Sequence, residues 1–327
     1  MEAEWRGFGV YIEQDEGIVE ETSLEILGRV RELGDKFNIP VSAFLLADSA
    51  RDIVKNIYSY GADRIIYVEN PLFRSYHSDL FSETLVRLIR KYKPRYLLLP
   101  ATRDSRDLAG RIAVMLRTCL LAHVISIDIE PSSMRMNAMV PGFGGSIAAV
   151  CECTTIPEMA TVTPGVFKPV SREDLKPEII DESEIARDLS SSIRKIRRFK
   201  EARPDISKAE RIVIAGAGCL QDLEAVKDLA RIMRAEYAVT RPIADAGLAP
   251  RDLQVGSTGI SVKSKIALIL GASGAPHFVS GIRDCKYVVS VNIDPEAPIR
   301  EYSDLFIVGD LYEFLRKLRK RLEEVGG

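Results

Sequence analysis

The strongest constraint on this 327-residue chain is a repeated succession of two patterns. A short, continuously apolar run is followed by a segment with apolar residues at helical spacing. Residues 8–12, 41–46, 64–68 and 96–99 are such runs. Between them, 23–37 (Leu24, Leu27, Val30, Leu33), 50–60 and 80–92 have the periodicity of helices with one buried stripe. Gly61 reads as a C-cap and Pro94 as a stop. A run that does not alternate apolar with polar must be buried on both faces. The chain is therefore expected to build an α/β fold with a parallel sheet covered by helices on both sides.

The rhythm then changes. ATRDSRD reads as a loop leading to a helix over 108–116. Residues 124–129, 135–140, 146–153 and 158–162 read as successive strands, with an antiparallel pairing in view. After Thr163-Pro164-Gly165 comes a polar, charged stretch to about residue 207, with room for a strand or a short helix. The strand–helix rhythm resumes at 211–215, a helix follows over 220–234, and strands follow at 237–239, 266–270, 287–291 and 305–308. A helix from 311 to about 323 closes the pattern. The expected organisation is an N-terminal α/β domain (1–165) with extra antiparallel strands, a linker (166–207), and a second, flavodoxin/Rossmann-like parallel domain (208–327).

Charge and cysteine usage exclude several classes. With 45 basic and 47 acidic residues the net charge is −2, so no global field draws the chain to nucleic acid. The basic stretch Arg194, Lys195, Arg197, Arg198, Lys200 reads as solvated linker. Cys119, Cys151, Cys153, Cys219 and Cys285 are odd in number and irregular in spacing, which does not suggest a disulfide framework. No CxxC pair exists and His77, His123 and His277 lie far apart, so no metal site is expected. The most apolar stretch, 112–129, is interrupted by Arg117, His123 and Asp128 and should not span a bilayer. The start, MEAEWRGFGV, lacks a signal-peptide core, and a cytoplasmic location is expected.

The chemistry is concentrated after residue 215. Gly216-Ala217-Gly218 sits at a strand-to-helix turn, but Gln221 takes the last position of GxGxxG, which argues against a nicotinamide-dependent oxidoreductase. Three further loops follow strand ends: TRPIADAG (240–247), QVGSTG (254–259) and GASGAPHF (271–278). Each mixes glycine with small hydroxyl residues, offering N–H and O–H donors on an open surface. In an open α/β sheet that is where a nucleotide-type cofactor binds. GASGA lacks the spacing of a hydrolase nucleophile elbow.

The order TR…DAG…QVGSTG…GASGA…VNIDPEAPI…GDL resembles the FAD domain of the electron-transfer flavoprotein α subunit family. YGADRIIYVEN (60–70), LLLPATRDSRDLAGRIA (97–113) and TVTPGVFKP (161–169) resemble its first domain, so the resemblance covers nearly the whole chain. It implies an electron carrier rather than an enzyme. Bound FAD would take electrons from a dehydrogenase and pass them to a quinone oxidoreductase or ferredoxin-like acceptor, and the chain would be paired with a β subunit on residues 1–165.

Roles follow residue by residue. Arg241 is expected near the flavin ring, with Thr240 a further contact. Thr258 is expected to offer its hydroxyl to flavin N5 from a loop shared with Val255, Gly256 and Ser257. Ser273, Gly274 and Ala275 are expected close to the cofactor's phosphates or its ribityl chain. Asn292, Asp310 and Leu311 are expected at the adenosine end. The sequence departs from the family at Ala217, where arginine is usual, and at Ser257, where glutamine is usual. It departs again at Phe278, which stands where the family has a histidine. His277, one position earlier, is the candidate substitute, and both are expected at the cofactor. These departures motivate a rival reading, a nucleotide-binding structural subunit that has lost flavin.

Overall fold

The computed structural model describes residues 4–142, 147–191, 193 and 206–325. They form two compact units, the first built from residues 4–141 and 148–193, the second centred on 206–325. The basic stretch at 194–200 lies outside the described residues.

The first unit is a seven-stranded sheet. Its strands are β1 (Phe8–Ile12), β2 (Val41–Ala47), β3 (Arg64–Glu69), β4 (Tyr96–Pro100), β5 (Leu120–Val124), β9 (Glu158–Val162) and β10 (Glu178–Asp181). They pair in the order β10-β3-β2-β1-β4-β9-β5, all parallel. The unalternated runs are explained by burial on both faces. Phe8, Val10 and Ile12 of β1 enter one core with Ala43, Leu45 and Ala47, while Tyr11 enters the opposite core with Phe44 and Leu46. Fully burying each of the larger ones, such as Val10, Ile12, Leu45 and Phe44, stabilises the fold by about 1.5–3 kcal/mol. Helices α1 (Glu21–Phe37), α2 (Arg51–Ile57), α3 (Ser78–Tyr92) and α4 (Arg103–Leu116) cover the sheet.

Four expectations are corrected here. The ATRDSRD segment is not a loop. Thr102 caps α4, its hydroxyl accepting from Ser105 N at 3.2 Å, so the helix begins at Arg103. α2 ends at Ile57, and Gly61, at φ +95°, belongs to the turn before β3 rather than to the helix cap. The strand expected at 124–129 is two strands: β5 ends at Val124, the chain bends at Ile125, and β6 (Ser126–Glu130) follows, while His123 (φ +58°), within β5, accompanies a shift of register against β9. Of the four expected successive strands, only β6 and β7 (Arg135–Gly142) are shown antiparallel, with β8 (Ile147–Cys151) beyond β7. β9, buried at every residue, enters the parallel sheet instead.

That insertion also brings two distant cysteines together. β5 and β9 are neighbours, and Cys119 and Cys153 precede them; the two are disulfide-bonded with Cα atoms 5.9 Å apart. β10, drawn from the segment expected to link the domains, completes the sheet edge beside β3. Among the described residues no helix is long and apolar enough to cross a membrane.

The second unit is a five-stranded parallel sheet of β11 (Arg211–Ala215), β12 (Glu236–Val239), β13 (Ile266–Leu270), β14 (Val288–Asn292) and β15 (Leu305–Val308). The order is β12-β11-β13-β14-β15. Helix α5 (Leu223–Ile232) starts three residues later than expected because Asp222 is its cap, accepting from Ala225 N at 3.0 Å. Two short helices, α6 (Arg241–Asp245) and α7 (Pro276–Val279), follow β12 and β13. The long α8 (Leu311–Val325) is preceded by Asp310, whose carboxylate accepts from Glu313 N at 2.8 Å.

Candidate functional site

A sheet of order 2-1-3-4-5 reverses its winding between its first and third strands, here β11 and β13. The loops leaving their carboxyl ends diverge and leave a crevice. In this chain those loops begin Gly216 and Gly271. A Cβ on Gly216 would stand 2.4 Å from the backbone N of Ala272 and O of Gly271, so only glycine lets the two loops lie side by side. Gly216 N donates to Leu270 O and Gly218 N to Gly271 O, fixing that contact.

Over this crevice lies a cavity of about 460 Å³, within the range of small-molecule and cofactor sites. Each glycine-bearing loop contributes to it. From the first come Thr240 and Arg241, from the second Val255, Gly256 and Thr258, and from the third Ser273, Gly274, Ala275, His277 and Phe278. Thr240 is buried and its N–H donates to Ala215 O, which binds this loop to β11. Gly274 has φ +88° and an ideal Cβ there would meet Ile299 N at 2.2 Å, so the backbone passes where no side chain fits.

The second and third loops are joined. Ser257 N donates to His277 O at 2.8 Å, and Ser257 Oγ lies 3.0 Å from His277 Nδ1. Ser257 is itself outside the lining; it holds His277 at the rim. Phe278, 7% exposed, instead gives the cavity an apolar wall and packs into the core with Val255 and Val279.

Besides Ser257, three expected residues are not in the lining. Asn292, at the end of β14, donates from Nδ2 to Ala272 O at 2.9 Å and so buttresses the third loop. Asp310 caps α8, and Leu311 is buried beneath it. Five lining residues were not among those expected: Ala217, Pro242, Asp245, Gln254 and Ala272. All but Ala217 belong to the three loops, so loop membership was the available signal. Gln254 is 1% exposed and donates to Thr258 Oγ1 at 2.8 Å, leaving that hydroxyl free to donate elsewhere. Asp245 accepts from Arg241 Nε at 3.0 Å and from Arg251 Nη2 at 2.8 Å.

A second cavity, about 540 Å³, lies in the first unit, lined by Arg6, Arg31, Asp63, Arg64 and Tyr92 among others. It opens at the amino ends of β2 and β3, opposite the end where such sheets bind ligands. Its buried guanidinium, Arg31, is already engaged by Asp63 at 3.0 Å and Asp35 at 2.9 Å. The larger volume therefore does not make it the better site. Among the described residues no His, Cys, Asp and Glu cluster is arranged to hold a metal ion.

Apolar walls, three loop hydroxyls, a rim cation and a backbone cradle place this chain in the class of open α/β-sheet proteins whose ligand crevice lies at the switch point. Comparison with known proteins makes that class specific. Residues 8–187 match the electron transfer flavoprotein domain and residues 205–283 match the electron transfer flavoprotein FAD-binding domain. The electron transfer flavoprotein subunit alpha of Clostridium acetobutylicum is 32% identical over 97% of this chain and 96% of its own length. Protein FixB of Clostridium saccharobutylicum is 34% identical over 99% and 98%. The LctC subunit of the lactate dehydrogenase (NAD(+),ferredoxin) of Acetobacterium woodii is 32% identical over 98% of this chain and 77% of its own. The chain belongs to the electron transfer flavoprotein alpha subunit family.

Proposed function

We propose that this chain is the FAD-holding subunit of a two-subunit electron carrier. The observation that supports it most is the meeting of Thr240, Arg241, Thr258, Ser273 and His277, from three separate loops, around one cavity at the switch point. The residues fit the cofactor. Val255, Pro242 and Phe278 offer flat apolar contact to a ring, and the Gly274 backbone admits a close approach. Thr258, with its lone pair engaged by Gln254, is set to donate to a ring nitrogen. Asn292 and Asp310 lie at the neighbouring strand end, where the adenosine end would run. Bound FAD supplies the redox chemistry, taking up and releasing electrons. No side chain need act as acid, base or nucleophile; the protein sets exposure and potential.

The donor is a dehydrogenase, and the acceptor a quinone oxidoreductase or ferredoxin-like protein. The partner is a β subunit docked on residues 1–165. An uncovered strand edge supports this: β8 is exposed along four of its five residues, with Val150 65% and Ile147 56% exposed. Co-expression with the β subunit, followed by absorption spectroscopy and titration with FAD, ADP and AMP, tests the reading. The expected result is a yellow heterodimer that takes up FAD. A colourless protein that binds ADP or AMP but not FAD overturns it in favour of a structural nucleotide-binding subunit.

A further inference from the structure

Two arginines and one aspartate meet beside the cavity. α6 carries Arg241 at its first position and Asp245 four residues on, so the two side chains lie on one face. Arg241 Nε donates to Asp245 Oδ2 at 3.0 Å, and Arg251 Nη2 donates to Asp245 Oδ1 at 2.8 Å. Each carboxylate oxygen thus holds one cation. Arg251 opens the turn Arg251–Leu253, which runs directly into Gln254 and the loop of Thr258. Arg241, Asp245, Gln254 and Thr258 line the cavity. Asp245 therefore ties the loop bearing the rim cation to the loop bearing the hydroxyl donor.

We infer that Asp245 and Arg251 are positioning residues that set the charge Arg241 presents to the cofactor. The inference rests on the FAD reading above. At side-chain exposures of 58%, 40% and 69% for Arg241, Asp245 and Arg251, the ion pairs add little to stability. Their effect is electrostatic. Two cations and one anion leave one net positive charge, which favours the anionic reduced flavin and raises its potential. Without Asp245 the net charge is two; without Arg251 it is zero. A cavity of this volume is about 10 Å across. A unit charge altered at that range, in a dielectric between those of water and a protein surface, changes the ratio of affinities for reduced and oxidised FAD about two- to fifteenfold.

The experiment compares four full-length chains, each co-expressed with the β subunit: wild type, Asp245→Asn, Arg251→Gln and the double variant. FAD dissociation constants and midpoint potentials are measured at one pH. Asp245→Asn is expected to raise the potential and Arg251→Gln to lower it. The double variant, with its single net positive charge restored, returns towards wild type. A merely structural role would move both single variants in the same direction. Should Arg251→Gln fail to fold, the upward shift of Asp245→Asn and its decay with added salt decide alone. Potentials that stay together in FAD-loaded variants, or shift with one sign, overturn the inference while leaving the FAD reading intact. A wild-type chain that takes up no FAD overturns that reading, and the inference with it.

Discussion

Replacing Gly274 by alanine is expected to dismantle the third loop of the site while sparing the first unit. The backbone there has φ +88°, where an L-residue is strained by about 1–2 kcal/mol. The added Cβ would stand 2.2 Å from Ile299 N and 2.6 Å from Ile299 Cα. Both are backbone atoms, so no side-chain rotation relieves the clash, and overpacking of this kind costs about 1–3 kcal/mol. The displaced loop also loses the bond from Ile299 N to Ser273 O, now 3.0 Å and worth about 1 kcal/mol. The sum, about 3–6 kcal/mol, is a large part of the stability of a domain this size. Hydrogen exchange resolved by segment is the suitable assay, because the single tryptophan, Trp5, reports on the first unit alone. Amides of β13 and β14 should exchange at least a hundredfold faster in Gly274→Ala, and FAD affinity should fall with them. Gly309→Ala, where no atom lies within 4 Å of the new Cβ, is the control and should change neither. A Gly274→Ala protein with exchange rates and FAD affinity within twofold of wild type would refute the reasoning.

Three further outcomes are expected. Gly110 lies inside α4 with open space around its Cβ position, so Gly110→Ala should raise stability by about 0.5–1 kcal/mol, read as a higher denaturant midpoint. Burial pushes the Cys219 thiol up to about 12, and its sulfur donates to Leu270 O at 3.2 Å. At pH 8 a thiol reagent should therefore label Cys151 and leave Cys219 unmodified until the protein is unfolded. Burial also pushes the Glu13 carboxyl above its ordinary range, against hydrogen bonds from Ser105 and Thr102 that lower it. A carboxyl that holds its proton more tightly folded than unfolded loses stability as pH rises from the ordinary carboxylate range through the raised value. Glu13→Gln should flatten that part of the stability–pH curve, and an unchanged slope would contradict the assignment.

The parallel strands were legible because burial on both faces writes itself as unbroken apolar runs; β1, β2, β3, β4 and β13 all fall within a residue or two of their apolar limits. What escaped was non-local. Nothing around 158–162 says that it pairs with β4 and β5 rather than with the strand before it. The Cys119–Cys153 bond is a consequence of that pairing and not of cysteine spacing. α4 was read short because Arg103, Asp104 and Arg106 look like loop residues until Thr102 is recognised as a cap. In the site, glycines and hydroxyls announced the three loops. Asp245 and Gln254 did not stand out because their work is done through Arg241, Arg251 and Thr258, whose proximity only the fold supplies.

The two units share a design principle and use it differently. Each parallel sheet has a switch point, between β1 and β4 in the first and between β11 and β13 in the second. In the second, the glycines following both strands keep the crevice open, and a 460 Å³ cavity stands over it. In the first, the residue after β1 is Glu13. Its carboxylate accepts from Oγ1 of Thr102, the cap of α4, at 2.6 Å and from Oγ of Ser105 in the helix's first turn. A helix N-terminus at a switch point is the natural seat of a ligand's phosphate. Here the chain's own carboxylate takes that seat, with Tyr11, Tyr76 and Leu108 around it, and a cavity of only about 20 Å³ remains. Glu13 after β1, against Gly216 at the corresponding place after β11, accompanies a filled crevice in one sheet and an open one in the other.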